Sequence, residues 1–276
     1  MLPTKFWAEM SWRDFAAADM GKVVAVLPVA AIEQHGPHLP VGVDMFINEG
    51  YLARAVNRIP DDMPVLILPM QAIGKSNEHT EYPGTLTFSM ETVARAWTEI
   101  GDSVARTGCR KLIFMNSHGG NVPVIDAVVR ELRVRHRMLA VHAAWHRLGF
   151  PADMFSAVER AHGIHAGDAE TSLMLAFRPN TVRMSEAQNF VSSAIAIEKE
   201  FRQLRVTQPI GFGWMSSDLN EFGAAGDASN ATAAKGEACA DNAAGEFLAL
   251  LRDVLAFDLA RLRPGPLAGA GPAKEL

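Results

Sequence analysis

The chain of 276 residues is poor in cysteine: Cys109 and Cys239 are the only two, and they form no C-x-x-C pair. That excludes a disulfide scaffold and a thiolate zinc site. It also lacks a basic stretch: 26 Lys and Arg stand against 31 Asp and Glu, a net charge of −5. A surface that neutralises phosphates needs the opposite balance, so nucleic acid is not an expected partner. No apolar run approaches bilayer length. The longest, Val23 to Ile32, is interrupted by Pro28 and is about half of what a membrane helix needs. The N-terminal MLPTKFWAEMSWRDF spreads charges through itself without an apolar core, so no signal peptide is expected. The expected setting is soluble, reducing and cytoplasmic, with no membrane partner. There is also no G-x-S-x-G elbow to supply a serine nucleophile, no internal repeat and no linker.

What is present is 49% hydrophobic residues, 21% charged residues and nine histidines. The apolar content suffices for a sizeable core. Buried-strand patterns occur at Val23–Ala30, Val65–Met70, Lys111–Asn116 and Leu139–Trp145. Helical spacing is found over 47–58, 90–107, 123–137 and 166–177. Strands alternating with helices of this length predict an α/β fold with a mostly parallel sheet, whose chemistry gathers at the carboxyl ends of the strands. One domain is expected over 1–262, followed by a loose Gly/Pro/Ala-rich tail over 263–276.

Several histidines share short segments with carboxylates and glycines. In E-Q-H-G-P-H-L-P-V-G-V-D, Glu33 to Asp44, the two-residue spacing puts Glu33 and His35 on one side of an extended chain, and the turn that follows can bring Asp44 back to them. N-S-H-G-G-N, Asn116 to Asn121, places His118 at a strand tip before two glycines. A helix starting near Asn121, with that residue as N-cap, would aim its amides at the same place. In the segment His162 to Phe177, Glu170 shares a helical stripe with Leu173, Met174 and Phe177, so the carboxylate needs a cation, a hydrogen-bond network or a proton. His79, in the loop after the second strand, is a lone loop histidine whose spacing alone assigns it no function. Glu, His and Asp are borderline-hard ligands suited to zinc, manganese or iron. A two-cation site can be composed from them: Asp44 bridging, Glu33 and His118 on one ion, His35 and Glu170 on the other. His165 is left over, about one turn before Glu170, to carry protons.

Together these segments resemble the creatininase (creatinine amidohydrolase) family, through E-x-H-G-x-H-L-P-x-x-x-D (Glu33 to Asp44), H-x-x-Y-P-G-T (His79 to Thr85), N-x-H-G-G-N (Asn116 to Asn121), H-A-G-x-x-E-T-S (His165 to Ser172) and G-D-x-x-x-A-T-x-x-K-G (Gly226 to Gly236). The resemblance spans roughly residues 20 to 250. It implies a three-layer α/β/α sandwich, two divalent metal ions per chain (zinc, manganese or iron) and hydrolysis of a non-peptide C–N bond in a small-molecule amide, lactam or formamide. Metal-activated hydroxide would be the attacking group. The family's ligands fall on Glu33, His35, Asp44, His118 and Glu170, and its catalytic histidine on His165. His79, Gly119, Gly120, Asn121 and Trp145 become candidates for binding the substrate, and a homo-oligomer, commonly a hexamer, is implied. Creatininases proper carry a Glu where this chain has Gly120. That departure predicts a wider, less negative pocket beside His118 and a substrate other than creatinine, with an acidic group near the scissile amide. It also points to the wider family, which includes formamide hydrolases and a peptidase that trims a redox-cofactor precursor. Two other readings use the same residues: a metal-dependent isomerase or lyase acting on a small polyol or keto acid, and a non-catalytic binding protein. The release of an amine separates the first from hydrolysis, and metal content tests the second.

Overall fold

The computed structural model describes residues 1–265. Four strands form the central sheet: β1 (Val24–Val29), β2 (Val65–Ile67), β3 (Lys111–Asn116) and β4 (Leu139–Ala144). All are parallel, in the order β2-β1-β3-β4. The chain steps from β1 to one side and then returns to the other. The topological switch therefore lies between β1 and β3, where a parallel sheet opens a crevice beyond its carboxyl edge. A proline sits inside β1, paired on both sides, and it is tolerated because of what its neighbour does. Pro28 accepts from Gln71 N–H at 2.9 Å but donates nothing. Opposite it, β2 has ended at Ile67, and its pairing with β1 resumes only at Gln71. The donor that proline lacks is not needed there.

Helices cover both faces. α1 (Trp12–Ala17), α3 (Met90–Arg106) and α4 (Val122–His136) pack on one side, where Val93, Trp97, Val104, Val128 and Leu132 meet Ala25, Leu27, Leu112 and Phe114. α2 (Val43–Val56), α6 (Asp168–Phe177) and α9 (Ala233–Ala256) cover the other, with Tyr51, Leu173, Met174 and Phe247 against Val24, Val26, Ile113 and Met115. Alternate residues of each strand thus serve opposite cores, as expected of a sheet buried on both faces. Shorter pieces complete the described chain: α5 (Ala157–His162), α7 (Ala194–Glu200), α8 (Ser216–Leu219) and a two-stranded antiparallel sheet of β5 (Asn189–Phe190) and β6 (Gly226–Asp227). This is the three-layer α/β/α arrangement expected from the sequence. Among the described residues no helix is long and apolar enough to cross a membrane.

Several boundaries differ from the sequence reading. The helix expected from residue 47 begins at Val43, which puts Asp44 in its first turn. The helix expected from residue 166 begins at Asp168, because Ala166 takes a left-handed φ of 56° that breaks the run. The expected tail over 263–276 lies, from residue 266 onward, outside the described residues.

Candidate active site

The site is built on the carboxyl ends of β1 and β3, at the switch point. Glu33 and His35 follow β1, and His118 follows β3. Asp44 reaches them from α2, whose position is fixed one turn later by Asn48. That buried amide donates to the carbonyls of Val29 and Met115, each at 3.1 Å, and so stitches the helix across both strand ends. The backbone of His118 is braced by Asn116, which accepts from His118 N–H at 3.1 Å and donates to its carbonyl at 2.6 Å. Glu170 enters from the first turn of α6, accepting from Ala166 N–H at 2.6 Å.

These side chains converge. His35 Nε2 lies 3.9 Å from Glu33, 3.8 Å from Asp44 and 3.7 Å from Glu170. His118 Nδ1 is 3.2 Å from Glu33 and 3.9 Å from Asp44. His165 Nδ1 and His79 Nε2 approach Glu33 at 3.6 and 3.5 Å. The rings of His35 and His79 each lie 4.2 Å from that of His165. Three sets of donors have their ligand atoms within 4.8 Å of one another: Glu33, His35 and Asp44; Glu33, His79 and His165; and His35, His165 and Glu170.

The donor set suits a divalent cation. His35 Nε2 and Asp44 Oδ2 are buried without a hydrogen-bond partner, although they are 3.8 Å apart, and a buried polar atom left unpaired is costly. The proton affinities show the same crowding. Burial and the Glu33 charge push the Asp44 carboxyl well above its ordinary range. Burial works in the same direction on Glu33, but His118, with His79 and His165, outweighs it and holds Glu33 well below. Burial and His165 depress His35 well below its usual value, and burial takes His79 down to about 3. For His118 burial opposes the charge, yet Glu33 outweighs it and raises the imidazole well above normal. A divalent ion would relieve the carboxylates and engage the orphaned lone pairs at once.

The remaining candidates are placed differently from one another. Gly119 is exposed beside the site with open space around its Cα. Asn121 stands at the N-cap of α4, as expected, but its side chain makes no capping bond. It lies buried below the site, accepting from Lys75 N–H at 2.9 Å and donating to the Ala30 carbonyl at 2.9 Å and to Asn116 at 3.2 Å. Trp145 is placed in the core instead of over a substrate. It is 2% exposed, lies on Tyr51 with ring centroids 4.7 Å apart and donates to Asn48 at 3.0 Å. The room expected beside Gly120 is filled. A Cβ there would overlap Glu78 Oε1 and lie 2.6 Å from the Lys75 carbonyl.

Sequence reasoning passed over four residues of this neighbourhood. Ser76 donates to Glu33. Glu78 sits 3.5 Å from His118. The side chain of Gln34 lies 2.8 Å from His79 Nδ1, and Ser216 is 3.2 Å from that same Gln34 amide. Ser76 and Glu78 belong to the loop after β2, and the carboxyl-edge argument applied to the other strands would have found them.

The model of the family described as creatinine amidohydrolase matches residues 8–251. Over 217 residues the chain is 31% identical to the mycofactocin precursor peptide peptidase of Mycolicibacterium smegmatis, covering 78% of each protein. Over 198 residues it is 32% identical to the creatinine amidohydrolase of Pseudomonas putida, covering 66% of this chain and 75% of that one. Among solved structures, a creatininase variant described as the Zn–Zn type superposes with a TM-score of 0.71 at 25% identity, over 92% of this chain and 99% of the other.

Proposed function

The chain belongs to the creatininase family, and from that premise we propose that it is a hydrolase that holds two divalent metal ions and cleaves the C–N bond of a small-molecule amide. One observation carries the reading: three carboxylates and four imidazoles meet at the sheet's switch point, with His35 Nε2 and Asp44 Oδ2 buried and unpaired. Glu33, Asp44 and His118 would hold one ion and His35, Asp44 and Glu170 the other. Such ions supply Lewis-acid polarisation of a carbonyl and acidify water near neutral pH.

The protein's own groups do the rest. Asp44, anchored by the first turn of α2, serves both halves of the site. Ser76 and His79 take up oxygens of Glu33 and hold its carboxylate in place. His165 belongs to two of the donor sets and turns Nδ1 toward Glu33, placed to take up a proton and return it to a departing nitrogen. Zinc, manganese and iron all suit these donors, and a homo-oligomer, hexameric in the family's manner, working in the cytoplasm is part of the same proposal.

A second reading, a peptidase acting on a short peptide, is favoured by the 31% identity to the mycofactocin precursor peptide peptidase. Metal analysis of the undepleted protein, coupled to a panel of lactams, cyclic ureas, formamides and short peptides in ¹⁸O-water, tests both. The expected result is about two ions per chain and one solvent oxygen in the acid product of a small amide. Turnover confined to peptides would move the assignment to the second reading. A protein that holds no metal, or that turns over without solvent oxygen, would overturn both.

A further inference from the structure

The imidazole of His118 has two faces with different neighbours. Nδ1 is turned inward, 3.2 Å from Glu33 and 3.9 Å from Asp44. Nε2 is turned outward, 3.0 Å from the Lys75 carbonyl and 3.5 Å from Glu78 Oε1. A carbonyl can only accept, so Nε2 carries a proton toward Lys75, and Nδ1 is the nitrogen that would face a cation in the interior. Glu78 belongs to one short turn, Asn77–His79, just after Lys75, and consecutive residues of that turn serve different partners: Glu78 the back of His118, His79 the carboxylate of Glu33. The Glu78 side chain is only 16% exposed, and its other cationic neighbour, Lys75 Nζ, stands 3.8 Å away. It fills the volume that a side chain at residue 120 would require.

We propose that Glu78 is a positioning residue for His118, holding it as a metal-binding imidazole, and that residue 120 is glycine because a Cβ there would strike both this carboxylate and the ring. The physical reason is charge. When a cation draws density from Nδ1, the Nε2–H becomes more positive, and a carboxylate beside it stabilises that state and stiffens the ring's orientation. The proposal rests on Glu33, Asp44 and His118 being a metal-holding set, and it goes beyond that reading by assigning a tuning group and a steric requirement to two positions outside it.

Zinc affinity, measured by competition with a chelating dye, tests it on the full chain. Glu78→Gln keeps the shape and removes the charge. It should weaken zinc binding by about 10- to 100-fold while the thermal midpoint of the metal-free protein stays near that of the parent. Gly120→Ala should also weaken zinc binding, because its Cβ would press on Glu78 Oε1 and on His118 Nε2 itself. Parental zinc affinity in Glu78→Gln would overturn the proposal. So would parental zinc affinity in Gly120→Ala. An unsubstituted protein that binds no zinc, manganese or iron would instead remove the metal reading itself, and this proposal with it.

Discussion

His79 and His165, whose rings lie 4.2 Å apart, have opposite characters. The Gln34 amide is oriented by Gly36, whose N–H it accepts at 3.0 Å, so its nitrogen faces His79 Nδ1 at 2.8 Å and the Gly223 carbonyl at 2.7 Å. His79 Nδ1 is therefore an acceptor, and the His79 proton sits on Nε2, toward Glu33. His165 Nε2 lies 2.8 Å from the Gln34 carbonyl and must donate to it, which leaves a lone pair on Nδ1, 3.6 Å from Glu33. One ring offers a proton to the site and the other offers a base. On this basis His165→Ala should keep its metal and lose turnover by about 10²–10⁴, as read by elemental analysis beside steady-state kinetics. Loss of metal in that variant would make His165 a ligand instead. Glu33, His35, Asp44, His118, Glu170 and His165 are legible in the sequence because carboxylates and imidazoles cluster within short motifs. Gln34 is not, because a neutral amide between two such residues carries no chemical signature until its partners are known. Nor is the buried state of Trp145, since an aromatic after a strand fits a rim and a core equally.

At the scale of elements, the entry to α6 is held by a carboxylate outside the site. Glu159, on α5, is buried and accepts the backbone N–H of Asp168 at 2.7 Å and of Asp227 at 2.9 Å, joining the start of α6 to β6. Gly163, Gly167 and Gly226 crowd around it so closely that a Cβ on any of them would press on the carboxylate. Lys235, from α9, meets Asp168 at 2.5 Å on the same turn. Between these ties run His165 and Glu170. Replacing Glu159 with Gln should cost about 1–3 kcal/mol of folding stability, because one of two buried amides loses its acceptor. Chemical denaturation measures that loss, and a stability equal to the parent's would show that the knot carries no weight. The long amphipathic helices α3 and α4 are legible in sequence from their apolar spacing. The 24-residue α9 is not, because half of its buried positions are alanine and glycine, which give little contrast between faces. The pair β5 and β6 has two residues per strand, too few for any period to register.

For the whole molecule, the switch between β1 and β3 determines where the charge accumulates, and a bound cation should be part of the stability of the fold. Removing metal leaves Glu33, Asp44 and Glu170 around His35 without their counter-charge. An ion present at 100 times its dissociation constant stabilises the native state by about 2.7 kcal/mol. Chelation should therefore lower the thermal midpoint, and zinc or manganese should restore it. In Asp44→Ala that chelator-sensitive difference should largely vanish, and a full difference there would contradict a shared role for Asp44. The parallel order itself was legible from the alternation of strands and helices, whereas the interrupted pairing at Pro28 depends on where β2 ends.

The donors span widely separated parts of the chain, Glu33 after the first strand and Glu170 only in α6, and the four strands of the central sheet are all parallel, with no hairpin among them. Parallel pairing of this kind is won late in folding, after the entropy of closing long loops has been met. During synthesis Glu33, His35 and Asp44 emerge together, but Glu170 is missing from the set until α6 has emerged and docked. In the proposed two-ion site, the ion held by His35, Asp44 and Glu170 would then be captured late, and a half-made copy would lack the means to hold it.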